Sequence, residues 1–190
     1  MFFRSLVIPV LLLLAGCGPI IGAAMVAGGG VKEFTVVSGQ LQDLKPGRRV
    51  LVISPFDKTE QAFYLCRGEE AANFTTAFNT AGLFQADFHM ADRFGEDPGW
   101  LEKLKQKTPA QIQADFGLAE APDLLMTGVI LYRSTLVAPA QGIVMDVGYR
   151  LEFFDLHRQK KVQVEVRVKD LFQKCIGAVV DELMVRITGH

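Results

Sequence analysis

In the last third of the chain, every second residue is apolar. Met145, Val147, Tyr149, Leu151 and Phe153 alternate with Asp146, Gly148, Arg150 and Glu152. After His157-Arg158, Val162, Val164, Val166 and Val168 alternate with Gln163, Glu165, Arg167 and Lys169. A period of two puts one set of side chains toward a core and the other toward water, so the two runs form a long antiparallel hairpin. Charge suggests its register, although a slip of two in one direction also gives acceptable pairs and is disfavoured because it puts Leu156 in the turn. Opposite charges meet when Asp155 faces Lys160, Arg150 faces Glu165 and Asp146 faces Lys169. A slip of two residues the other way sets Arg150 against Arg167 and Glu152 against Glu165. The His157-Arg158 turn lacks the glycine or asparagine usual in tight hairpins.

Elsewhere the period changes. Leu171, Phe172, Cys175, Ile176, Val179, Val180, Leu183, Met184 and Ile187 trace the apolar face of a C-terminal helix, with Asp170 and Gln173 as its cap pair. Gly177 inside that helix is unfavourable and predicts a close packing contact. Ala71, Phe74, Phe78 and Ala81 give a second helical stripe over 68–81. Thr108-Pro109-Ala110-Gln111 is a helix start, with a threonine cap, proline at the first position and glutamine closing the box; that helix ends near Gly117. Residues 100–107 read as a further short helix. Arg49–Ile53 is a continuous apolar run stopped by Ser54-Pro55, the mark of a strand buried on both faces. Short strands are predicted at Phe34–Val37 and across Leu124–Leu136. In a half-buried strand at Ala86–Met90, Ala86, Phe88 and Met90 form the dry side, and Asp87 and His89 the wet one. The predicted architecture is a single α/β (α+β) domain over 31–190: a mixed sheet carrying the C-terminal antiparallel hairpin, with helices packed on it.

The amino terminus does not belong to that domain. Arg4 precedes an apolar run from Leu6 to Leu14, too short for a permanent membrane span and arranged like a secretory signal peptide. The run closes on Leu14-Ala15-Gly16-Cys17, which resembles a bacterial lipobox. That resemblance implies cleavage after residue 16, diacylglycerol on the Cys17 thiol and acylation of the new amino group. Gly18 stands where an aspartate usually signals inner-membrane retention, so the resemblance implies the periplasmic face of the outer membrane. The expected organisation is a cleaved signal peptide at 1–16, a lipidated cysteine with a Gly/Ala-rich tether at 17–30, and a periplasmic domain at 31–190. Ile20, Ile21, Met25 and Val26 make the tether greasy enough to lie against lipid or a neighbouring subunit.

Charge and chemistry narrow the function. After residue 16, 19 Lys and Arg face 21 Asp and Glu, a net of −2 with no basic run, so nucleic-acid binding has no electrostatic support. Cys66 and Cys175 would sit in an oxidising compartment, where they form either one disulfide or two separate thiols. His89, His157 and His190 are scattered, with no partner at metal-ligand spacing. No phosphate loop or nucleophile elbow occurs. The expectation is therefore no catalytic residue, no metal and no cofactor. Glu69-Glu70 reads as dipole compensation at a helix start. Trp100, a lone tryptophan in a Gly/Pro-containing stretch, is a candidate contact surface or a cap on the core.

Three stretches carry a resemblance. Arg49-Val50-Leu51-Val52-Ile53-Ser54-Pro55-Phe56 is similar to the first strand of the TolB amino-terminal domain and its relatives. Ala114-Asp115-Phe116-Gly117 followed by Pro122–Ile130 resembles their helix and next strand. Phe154-Asp155-Leu156 matches their hairpin turn in part, since His157-Arg158-Gln159-Lys160 has no Thr-Gly. That group includes CsgG of curli export, LpoB, an activator of a peptidoglycan synthase, and PelC of exopolysaccharide export. A compact domain on a short tether most resembles PelC. The resemblance implies a lipid-anchored, non-enzymatic subunit or accessory of an envelope export or assembly machine. Its partners would be the membrane, other envelope proteins and further copies of itself. A regulator of a cell-wall synthase is the alternative, and a small periplasmic hydrolase or metal-binding protein is the alternative of another class.

Overall fold

The computed structural model describes residues 19–62, 69–91 and 99–189. A helix at 19–26 (α1) leads into β1 (Gly30–Ser38), β2 (Arg49–Ser54) and the short β3 (Asp57–Lys58). Then come α2 (Glu69–Ala81), β4 (Gln85–Met90), α3 (Trp100–Lys105), α4 (Pro109–Phe116), β5 (Leu124–Ala138), β6 (Gly142–Asp155), β7 (Lys160–Leu171) and α5 (Cys175–Thr188). The strands form one mixed seven-stranded sheet in the order β1-β7-β6-β5-β2-β4, with β3 also on β5. β2 runs parallel to both β4 and β5, while β5, β6, β7 and β1 are antiparallel in turn.

Strand β2 divides the interior. Val50 and Val52 point into a core of Phe74, Phe78, Tyr149 and Val179 under α2 and α5. Leu51 and Ile53 point the other way, to Leu104, Ile112 and Leu125 under α3 and α4. Both faces of this strand are dry, which is why its sequence is an unbroken apolar run. The β6–β7 hairpin has only one dry face. Its valines face α5, and its charges remain on the open side of the sheet.

The observed hairpin register is the charge-matched one: Asp155 opposite Lys160, Arg150 opposite Glu165, Asp146 opposite Lys169. Aspartate supplies the turn chemistry that glycine does not. Asp155 Oδ1 accepts hydrogen bonds from the His157 and Arg158 amides, both at 2.9 Å, and Gln159 takes the left-handed position at φ 54°. The second carboxylate oxygen of Asp155 accepts from Arg48 Nη1 at 2.7 Å. Arg48 also donates to the Asp123 carbonyl at 3.4 Å, and Asp123 Oδ2 accepts from the Arg49 amide at 2.9 Å. This polar corner fastens the beginnings of β2 and β5 to the β6–β7 turn. Burial pushes the Asp155 carboxyl up, but the Arg48 guanidinium and the turn amides outweigh it and hold it below the usual range.

A capping box forms at α4 as expected. Thr108 Oγ1 accepts from the Gln111 amide at 3.3 Å, and Gln111 Oε1 accepts from the Thr108 amide at 2.9 Å. Gly117 closes the helix at φ 61°. Gly128 in β5 lies under the Phe56 ring, where a β-carbon would collide.

Three expectations are corrected. In β4 Ala86 packs on the main core as expected, but the wet and dry sides change over further along, because the parallel register with β2 sets His89 opposite Ile53, on the side that α3 and α4 cover. His89 packs on Phe116 with ring centroids 4.1 Å apart, whereas Phe88 and Met90 are exposed. The Asp170–Gln173 cap does not form. Asp170 instead accepts from the Leu171 amide at 2.7 Å, and a 3-10 turn at Phe172–Lys174 precedes α5. Finally, the glycine- and alanine-rich stretch expected as a tether is helical over 19–26.

Replacing Asp155 by Asn leaves Arg48, itself largely buried, without its counter-charge, and is expected to cost about 3–5 kcal/mol in urea denaturation. Because the native carboxyl is held low, its stabilisation is complete above the ordinary aspartate pKa of about 3.9. It is lost as pH falls through the native value. The denaturation midpoint of the parent chain therefore declines more steeply below that pH than that of the Asn variant.

Candidate functional site

Two features of the surface stand out. The first is an apolar end, where α1 rests on the tip of the β5–β6 hairpin. Met25 and Val26 pack against Ala138, Val144 and Leu171. Gly22 passes so close to the tip that a β-carbon there would collide with the Pro139 carbonyl oxygen. Around this contact large apolar side chains remain open: Ile20 and Ile21 on α1, Leu136 and Val137 at the end of β5, and Ile143 at the start of β6. Val137, opposite Ile143 in the ladder, is 75% exposed. Scattered exposed apolar residues are ordinary, but these five gather at one end of the molecule, with Val137 and Ile143 on the hairpin face opposite Ala138 and Val144.

The second feature is a cleft of about 720 Å3 between α2 and α5, above the sheet. Glu69 and Glu70 from the first turn of α2, Gly177 and Asp181 from α5, and Tyr149 from β6 all line it. Glu70 is buried, and burial raises its carboxyl above the usual glutamate range although Arg133 Nη1 lies 4.0 Å away. Tyr149 is 1% exposed and packs edge-on against Phe74, with centroids 5.4 Å apart. Burial, then the charge of Glu70, pushes its phenol far above the usual range. Among the described residues its hydroxyl has no hydrogen-bond partner. Gly177 makes no close packing contact: a β-carbon there would meet nothing within 4 Å. The expected contact is replaced by open space.

The remaining sequence candidates lie apart from one another. Cys17 and Cys66 fall outside the described residues, so the cysteine pair has one member in view. Cys175 is a buried thiol at the start of α5, 3.5 Å from the Leu171 carbonyl oxygen, and burial pushes it up to about 11. Trp100 opens α3, half-buried, with its ring stacked 6.4 Å from His89 and edge-on to Phe116 at 6.5 Å. His157 Nε2 lies 3.1 Å from Asp123 Oδ1 at the polar corner. His190 is outside the described residues. Among those residues, no group of three or more His, Cys, Asp or Glu side chains is placed to hold a metal ion. No helix there is long and apolar enough to cross a membrane.

Sequence reasoning missed the cleft. Glu70 reads as a dipole partner, Tyr149 as one more dry-face strand residue, and Gly177 as a packing glycine. The available signal was a hydroxyl on the dry face together with a glycine in mid-helix.

No family model and no curated protein matches the chain. Among solved structures it is similar to the PelC dodecamer from Paraburkholderia phytofirmans, at 18% identity over 82% of this chain and 94% of that one, with a TM-score of 0.44. It is also similar to lipoprotein GNA1162 from Neisseria meningitidis, at 14% identity over 75% and 99% of the two chains, with a TM-score of 0.37. A third is the hypothetical protein CT253 from Chlamydia trachomatis, at 12% identity over 64% and 74%, with a TM-score of 0.35.

Since Gly177 is helical and faces open space, Gly177→Ala is expected to stabilise the fold by up to about 1 kcal/mol. Thermal or urea unfolding reads this directly. A loss of stability would mean that the cleft is narrower than described.

Proposed function

We propose that the protein is a lipid-anchored, non-enzymatic component of the cell envelope. It serves as a subunit or accessory of an export or assembly machine, and associates with copies of itself at the periplasmic face of the outer membrane. One observation carries the reading: the apolar end sits where the chain arrives from Cys17. Four residues separate Cys17 from Gly22, the point of contact with the hairpin tip. A thioether-linked lipid at Cys17 and the exposed Ile20, Ile21, Val137 and Ile143 would then meet the same bilayer. Each CH2 buried in lipid is worth about 0.8 kcal/mol, so the acyl chains supply most of the affinity and the apolar end sets the orientation.

Self-association is supported by the sheet edges. β4 ends the sheet on one side with Phe88 and Met90 exposed, and β1 ends it on the other with Val36 and Val37 exposed. Open edges bearing apolar residues invite pairing with another chain. A contact between β1 of one copy and β4 of the next is head-to-tail, the kind that can close into a ring.

Labelled palmitate is expected to enter the parent protein and to be lost in Cys17→Ser; persistent labelling refutes the anchor. The mature chain without lipid is expected to gain mass with concentration in analytical ultracentrifugation. A strict monomer at high concentration refutes self-association. In the mature chain without lipid, Val137→Asp combined with Ile143→Asp is expected to leave the fold unchanged and lower the residual vesicle co-flotation several-fold.

A further inference from the structure

The cleft between α2 and α5 is unused by the anchoring reading, and four observations on it converge. Its volume, about 720 Å3, lies in the range that takes small molecules. Its charge is one-sided: Glu69, Glu70 and Asp181 line it, with no lysine or arginine among the described lining residues. Arg133 stands to one side, 4.0 Å from Glu70 and over the Phe172 ring at 5.3 Å. Tyr149 is buried but for its edge on the cleft, and its hydroxyl, which has no partner among the described residues, is free to bond whatever enters there. Gly177 is the fourth. It weakens α5, touches nothing, and has the single structural consequence of keeping the cleft open.

We propose that this cleft is a binding site for a small organic ammonium ion with an apolar body, an aliphatic or aromatic amine. The ammonium group donates to the Glu70 carboxylate and the Tyr149 hydroxyl oxygen. Phe172 and Met145 flank the apolar part. Glu69 and Asp181 add negative potential that favours cations over neutral molecules of the same shape. Arg133 already faces Glu70, so the ligand becomes the carboxylate's second positive partner. The inference stands independently of the lipid anchor.

The test titrates the mature chain with phenethylamine, hexylamine and spermidine, and with phenethyl alcohol as a neutral counterpart of the first, by calorimetry and thermal shift. At least one amine is expected to bind saturably and raise Tm. Phenethylamine is expected to exceed the alcohol by about tenfold, the worth of a charge-assisted hydrogen bond. Gly177→Leu fills the cleft from a half-buried helix position with open space beside it and is expected to abolish binding while the chain stays folded. Tyr149→Phe, which removes only the hydroxyl, is expected to weaken it several-fold. Equal binding of amine and alcohol, unchanged affinity in folded Gly177→Leu, or no saturable binding of any of the three amines at millimolar concentration overturns the proposal.

Discussion

The Asp155 carboxylate is the contact on which the rest of the sheet depends. One oxygen closes the β6–β7 turn through two backbone amides, and the other takes the Arg48 guanidinium from the strand entrance two positions away in the sheet. The turn fixes the hairpin register, and the register sets which side chains face α5. The arginine fixes where β2 starts, which decides that Val50 and Val52 face one core and Leu51 and Ile53 the other. A one-residue error at this corner would turn each of those sets to the wrong side.

Much of this was legible in the sequence because it is local. Alternation and charge pairing are properties of neighbouring positions, so the β6–β7 hairpin and its register could be read directly, as could the Thr108–Gln111 capping box. Where the reading failed, a distant element decided the outcome. The alternation in β4 correctly signalled a strand, but its dry side depended on α3 and α4, which bring Trp100 and Phe116 over His89. Asp170 has the right chemistry for a helix cap, yet β7 continues to Leu171 and the helix begins only at Cys175. The 19–26 stretch has linker composition. It becomes a helix because Gly22 can approach the hairpin tip and Met25 and Val26 find a hydrophobic seat there. The cleft could not be read at all, since Glu70, Tyr149 and Gly177 are brought together only by the packing of α2 and α5 over the sheet.

The two surface features differ in kind. The apolar end is built from side chains that gain by leaving water. The cleft is lined by groups that are costly where they stand: a buried carboxylate with a raised pKa, a hydroxyl without a partner and a helical glycine. Local rules broken together in one place, with only Arg133 at 4.0 Å to offset Glu70, mark a site kept for something other than stability.

Strand β6 runs without a break from Gly142, beside the α1 seat, to Asp155 at the polar corner. Its 14 residues span roughly 45 Å at the rise of an extended strand. With α1 docked on the tip instead of trailing as slack chain, the separation between the apolar end and the polar corner is a fixed dimension of the body. Whatever engages both ends meets a rigid ruler.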